Sequence, residues 1–282
     1  MATERKGMTT REFEAGLFDL DGSSEYWNIL LYGDSGCGKT VLAGSLPGRV
    51  LYLAGEPGYI SAARAGGGKG TVRLVPDAAT AASAVAWLEA GGAKRYDWIV
   101  PDGISTMQNK FLLGYAAEAF DANPAKRAHR NLPDKPDYFN AQNFMKSWAS
   151  RLVDLPCNVL FTGHAMRPED ENGETLVYPG IQGKGYEVSN YISGLMHEVW
   201  YMATRVVEVG GEARQVRRLL FQHYVDPVNE TRYFAKDDSD TLGRFATVRD
   251  PDNPDGVMMP ELIALMNGEP LPGTKKPRKA RG

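Results

Sequence analysis

Eight consecutive residues, Gly33-Asp34-Ser35-Gly36-Cys37-Gly38-Lys39-Thr40, fit the spacing G-x-x-x-x-G-K-[ST] of a phosphate-binding P-loop. Glycines at 33, 36 and 38 let the backbone turn tightly, so that successive N–H groups can point at one anion. Lys39 is placed to reach the β- and γ-phosphates of a nucleoside triphosphate, and the Thr40 hydroxyl to ligate Mg2+. Asp34, Ser35 and Cys37 occupy the variable positions of the same loop. A chance match is the alternative in a chain with 31 glycines. Against it, an apolar run at 28–32 leads into the loop and residues 40–45 can start a helix, which is the context the motif requires.

Such a loop needs an acidic residue on a neighbouring buried strand to hold Mg2+ through water. Asp102 is the candidate, at the end of Trp98-Ile99-Val100-Pro101-Asp102. Pro101 has no N–H to give to a ladder, so the strand could end at Val100, and Asp102 could also be an ordinary turn residue before Gly103. Hydrolysis needs a group that orients water. Glu56 follows the apolar run 50–53, at the sheet edge where open α/β folds place ligand-facing residues, although Glu-Pro-Gly also reads as a solvated turn. His164 follows the run 158–162 on the same edge and could sense the γ-phosphate. Lys184, in Gly183-Lys184-Gly185, could act as a cationic finger across a subunit interface. Asn109-Lys110-Phe111-Leu112 lacks the acid of an Asn-Lys-x-Asp motif, which argues against a Ras-like GTPase.

The elements that must position these groups alternate. Strands are expected at 28–32, 50–53, 71–75, 98–102 and 158–162, and helices at 40–45, 80–90, 104–120 and 138–155. A strand-rich end follows at 198–209, 217–224 and 232–236, with a Gly210-Gly211 hairpin turn and a last helical turn at 260–266. Residues 66–70 read as a turn or mobile loop, 121–137 as a loop or mobile insertion, and 165–185 as a polar, glycine-containing segment. This alternation predicts an α/β fold with a mostly parallel central sheet flanked by helices. The expected division is a flexible lead-in over 1–25, one ATPase domain over 26–266 and a basic tail over 267–282.

Composition narrows the setting. No apolar run approaches the roughly 18 residues of a membrane helix, and the polar start of the chain is not a secretory signal. Two cysteines, Cys37 and Cys157, offer neither a disulfide framework nor metal spacing, which suits a reducing cytoplasm. The net charge of −3 hides a tail carrying Lys275, Lys276, Arg278, Lys279 and Arg281 without an acid. Lys126, Arg127 and Arg130 in the 121–137 loop, and Arg217 and Arg218 after the hairpin, are candidate nucleic-acid contacts. The 165–187 segment is unfavourable, because Glu169, Asp170, Glu171, Glu174 and Glu187 outnumber Arg167 and Lys184. A solvated surface with a solubilising tail remains the plain alternative.

The order of these segments resembles the RecA-like ATPases. It is similar in particular to the shortened RecA-type proteins of bacteriophages, some of which anneal single strands. The resemblance rests on the P-loop, on Leu51-Tyr52-Leu53-Ala54-Gly55-Glu56 and on Tyr96 through Ser105 as the Walker B strand. It extends over Asn158 through His164, Tyr178 through Lys184 and Arg232 through Asp237, covering about residues 26 to 240. Pro101 departs from an all-aliphatic Walker B, Gly103 stands where Ser is common, and no separate N-terminal oligomerisation domain is evident. The resemblance implies ATP and Mg2+ as cofactors and Glu56 as the catalytic base. It also implies single-stranded DNA as partner, assembly as a ring or filament, and a single-strand-binding or replication protein as a further candidate partner. The expected setting is the cytoplasm, that of the bacterial host if the chain is phage-encoded. Two other readings stay open: a helicase loader or motor acting on a protein, and a nucleotide-dependent regulator with negligible hydrolysis.

Overall fold

The computed structural model describes residues 26–65, 69–169, 173–209, 212–251 and 253–269. The strands are β1 Asn28–Gly33, β2 Val50–Ala54, β3 Thr71–Leu74, β4 Trp98–Asp102, β5 Asn158–Met166, β6 Leu176–Pro179, β7 Glu198–Val209 and β8 Glu212–Leu220. Short strands β9 Tyr224–Val225, β10 Arg232–Tyr233, β11 Lys236–Asp237 and β12 Phe245–Thr247 follow. The helices are α1 Lys39–Ala43, α2 Tyr59–Ala65, α3 Ala78–Glu89, α4 Ile104–Ala122, α5 Lys135–Val153, α6 Glu187–Gly194 and α7 Met259–Met266.

The sheet order is β12-β8-β7-β1-β5-β4-β2-β3. From β7 to β3 every neighbouring pair is parallel, and β8 and β12 extend the sheet antiparallel. The α/β class expected from the sequence, a mostly parallel central sheet flanked by helices, is observed, with the strand-rich part at its C-terminal end. A parallel strand covered on both faces must be apolar on both. In β1, Leu30 and Tyr32 enter the core beneath α3, α4 and α5, and Ile29 and Leu31 enter the core beneath α1 and α7. Trp148 of α5 is fully buried in the first core and donates its Nε1–H to the Ala81 carbonyl at 3.1 Å. Met259 and Leu262 bring α7 onto the second.

Two alternatives left open by the sequence are resolved. First, the strand expected at 98–102 is observed over those bounds as β4: Pro101 does not end it at Val100 and stays in register with Leu53 of β2. The Asp102 carbonyl accepts from Gly55 N at 2.9 Å on the β2 side, so the missing proline amide falls on the β5 side. There the pairing skips from Ile99↔Val159 to Asp102↔Thr162. The proline costs one rung without ending the strand. Second, the 121–137 loop is shorter than expected, spanning 123–134 with a 3-10 turn at Pro124–Lys126. Helix α4 runs to Ala122 and α5 starts at Lys135, and two arginines tie the connection down. Arg127 donates to both Asp137 oxygens at 2.5 and 3.0 Å, and Arg130 to both Asp121 oxygens at 2.9 and 2.7 Å.

The strand-rich end also differs in detail. The expected 217–224 strand is β8, which starts at Glu212, plus the separate β9, and the expected 232–236 strand is two short pieces, β10 and β11. Val209 pairs with Glu212, and the glycines expected at that turn lie outside the described residues, as do 66–68, the lead-in and the charged part of the tail. Among the described residues no helix is long and apolar enough to cross a membrane.

Candidate nucleotide site

Parallel pairing brings the C-terminal ends of β1, β2, β4 and β5 to one edge of the sheet. Each carries one of the expected groups: the P-loop after β1, Glu56 after β2, Asp102 ending β4 and His164 near the end of β5. Gly36 and Gly38 take the left-handed φ values of 77° and 104° that the turn demands. Gly33 lies so close to the Met202 carbonyl that a Cβ there would sit 2.0 Å from its oxygen, which no side chain allows. Lys39 is buried and donates to the carbonyls of Gly33 and Asp34 at 3.1 and 2.8 Å, folding its ammonium over the loop it serves. Cys37 is buried beneath the loop, and burial raises its thiol pKa. Ser35 is exposed at the loop tip.

Thr40 and Asp102 converge. The Thr40 hydroxyl donates to Asp102 Oδ1 at 3.1 Å, and the same oxygen accepts from Thr162 Oγ1 at 2.5 Å. Thr162 Oγ1 in turn accepts the Gly103 N–H at 2.9 Å, which fixes the turn out of β4. Asp102 is fully buried, and desolvation is the main cause raising its pKa, opposed by the Thr162 and Thr40 hydroxyls. A hydroxyl and a carboxylate are hard oxygen donors, and one or two of these with phosphate oxygens and water satisfy Mg2+.

Glu56 leans over Gly103. A Cβ on Gly103 would meet the Glu56 Cγ at 3.0 Å, and Gly103 also has φ 84°, so glycine where Ser is common in the resembling family has a steric reason here. Thr106 Oγ1 donates to Glu56 Oε2 at 3.0 Å, and His164 Nε2 lies 3.8 Å from the same oxygen. The neighbouring His164 imidazole is the largest cause holding the Glu56 carboxyl below its usual range. His164 is itself positioned through its backbone N–H, which donates to Ser105 Oγ at 3.0 Å.

Several contributors carry no sequence motif. Arg167, just past β5, donates to the P-loop Asp34 at 2.6 Å and to Tyr201 Oη at 3.3 Å, and holds the Asp34 carboxyl below its usual range. Buried Gln108 of α4 clamps the Gln182 backbone, donating to its carbonyl at 2.8 Å and accepting its N–H at 2.6 Å. Sequence alone weighed Arg167 only as a charge and gave no sign of Thr162, Thr106 or Gln108.

The remaining expected residues are dispersed. Lys184 is exposed on a short 3-10 turn before α6 and has no polar contact with the P-loop among the described residues. Lys126 is exposed, whereas Arg127 keeps only 12% of its side chain exposed and Arg130 is paired with Asp121. Arg217 and Arg218 do not form one patch, because successive strand residues face opposite ways. Arg218 stacks over Phe245 with its guanidinium carbon 4.3 Å from the ring centre, and Arg217 lies against Gly38 of the P-loop.

Two solved structures are similar to this one. A KaiC-like protein of Pyrococcus horikoshii is 13% identical with a TM-score of 0.38, covering 74% of this chain and 89% of that one. The flagellar accessory protein FlaH of Methanocaldococcus jannaschii is 14% identical with a TM-score of 0.36, covering 69% and 77%. No curated protein sequence matches. Over residues 25–239 the chain matches the AAA domain family AAA_24, and it belongs to that family of P-loop ATPases.

Proposed function

We propose that the chain, folded as one ATPase domain over 26–266, hydrolyses Mg-ATP and uses the cycle to grip and release single-stranded DNA in recombination or annealing. The observation that carries the catalytic half is the meeting of the P-loop, Asp102, Glu56 and His164 at one sheet edge. Lys39 and the loop amides bind the phosphates, while Thr40 and Asp102 hold Mg2+, which neutralises phosphate charge when bound. Glu56, ionised and fixed by Thr106, orients the attacking water and accepts its proton. His164 beside it reads the γ-phosphate, and the Ser105–Thr106–Gln108 face of α4 passes that state to the 178–184 segment through Gln182.

The DNA half rests on the sequence resemblance and on a cleft beside β7 and β8. There Arg205 and Arg218 lie against Tyr233 and Phe245, cations beside rings of the kind that stack bases. Head-to-tail assembly would bring Lys184 of one copy to the nucleotide of the next, in the cytoplasm. The pairing of Arg127 and Arg130 with carboxylates favours the second reading, an ATPase whose partner is a protein. The deciding experiment is ATP turnover with and without single-stranded DNA at two salt concentrations, with Glu56→Gln as control. Salt-sensitive stimulation supports the DNA reading, DNA-indifferent turnover moves the partner to a protein, and no turnover leaves a nucleotide-dependent regulator.

A further inference from the structure

We infer that Arg217 contacts the phosphates of the bound nucleotide in cis, from the side of the P-loop opposite the Walker B strand. The inference rests on the P-loop reading above and adds a cation that no P-loop motif specifies. Arg217 sits on β8 in register with Thr204 of β7, and its carbonyl accepts the Val248 N–H at 2.8 Å on the other side. From that fixed position its side chain lies across Gly38: a Cβ there would meet the Arg217 Cδ and Nε at 3.0 Å each. Gly38 therefore does two things. It supplies a left-handed φ of 104°, and it leaves room for a guanidinium against the residue that precedes Lys39.

The charge state of this arginine is the second observation. Eight other arginines, including Arg167 at the far side of the same loop and Arg214 on the same strand, have a carboxylate partner. Arg217, only partly exposed, has neither an ion pair nor a side-chain hydrogen bond among the described residues. Between it and Gly36 opens a cleft of about 270 Å3, in which Thr204 and Gln215 offer neutral polar groups. Asp250 lines the same cleft, with its carboxylate accepting the Asn253 N–H at 2.9 Å. A guanidinium left unpaired beside a loop built for phosphate matches a polyphosphate by charge and by its planar fork.

The test measures the affinity of the full-length protein for ATP, ADP, AMP and adenosine by calorimetry, for wild type, Arg217→Ala, Arg217→Lys, Arg214→Ala and Lys39→Ala. Removing a charged hydrogen bond to phosphate should weaken ATP and ADP by roughly ten- to a hundredfold. The loss should shrink for AMP and vanish for adenosine, Arg217→Lys should recover part of it, and Arg214→Ala should bind as wild type. Melting without nucleotide shows whether each variant is folded, and Arg217→Gln replaces the alanine variant if that one is not. An equal loss for adenosine and ATP would make Arg217 structural and overturn the inference. Wild-type affinity in Arg217→Ala, with binding lost in Lys39→Ala, would overturn it and leave the P-loop reading intact. If Lys39→Ala also binds normally, the P-loop reading falls with it.

Discussion

Glu56, two residues past β2, and His164 of β5 meet across the end of β4, with Glu56 Oε2 3.8 Å from His164 Nε2 and Thr106 completing the contact. The consequence is electrostatic: the imidazole is the largest cause keeping the Glu56 carboxyl ionised below the usual range. A group with a depressed pKa is charged, and serves as base, at every pH above that lowered value. It fails only as pH falls through it. In the pH profile of ATP turnover at saturating Mg-ATP, the acid limb is therefore expected below the ordinary carboxylate range, and His164→Ala should move it to higher pH. An unmoved limb in that variant would remove His164 from the base's environment.

Glu56→Gln keeps the side chain's shape and its bond with Thr106 but removes the proton acceptor. Losing a general base costs about 10²- to 10⁴-fold in rate. The expected result is ATP affinity within a factor of a few of wild type and turnover lower by about that range. Near-normal turnover would mean that another group handles the water.

Asp102 titrates in the opposite direction. Burial raises its pKa, so at moderately acidic pH it holds a proton that an ordinary aspartate would have lost. Binding Mg2+ requires the carboxylate, so Mg-ATP affinity should fall as pH drops through this raised value, and binding should release a proton. Calorimetry in buffers of different ionisation enthalpy reads the proton count. Zero release near the midpoint would show that Asp102 is not coupled to the metal. Thr162→Val removes a hydroxyl that serves both Asp102 and the Gly103 N–H, at a cost of about 1–3 kcal/mol for the stranded groups.

The alternation of apolar runs with helical stretches made the parallel sheet legible, because a strand buried on both faces must be written in apolar residues. The P-loop was legible because its glycines are dictated by backbone geometry. Thr162, Gln108 and Arg217 were not, because their roles come from which strands lie side by side. No local spacing encodes that β5 lies between β1 and β4, or that β8 returns along β7 to the P-loop. Pro101 misled for a related reason: which side of β4 loses a hydrogen bond depends on its neighbours.

Arg127 separates a structural from a nucleic-acid role for the 123–134 connection. Its partner Asp137 keeps 2% of its side chain exposed and also accepts the Asp134 N–H at 2.8 Å at the start of α5. Removing the arginine leaves the Asp137 carboxylate without its charged partner at the start of α5. Arg127→Ala should lower the urea unfolding midpoint and leave DNA affinity unchanged once folded. Lower DNA affinity without a loss of stability would restore Arg127 as a phosphate contact.

Glu198 gives the fold itself a pH dependence. It is fully buried at the start of β7, accepts from Trp200 Nε1 at 3.0 Å and from Ser239 N at 3.1 Å, and lies near Asp237. Desolvation is the main cause of a pKa raised from 4.5 to about 7. The folded chain therefore keeps this proton over a range in which the unfolded chain has released it. Stability from this group is full below the unfolded value and declines as pH rises, until the folded carboxyl also ionises near 7. Glu198→Gln cannot titrate, so its stability relative to wild type should rise by up to roughly 3 kcal/mol between acid and mildly alkaline pH. Because glutamine has one accepting oxygen where the Trp200 and Ser239 N–H groups need two acceptors, the variant should start below wild type in acid and gain on it as pH rises. A stability difference constant from pH about 4 to about 8 would mean that Glu198 has the same affinity for its proton folded and unfolded.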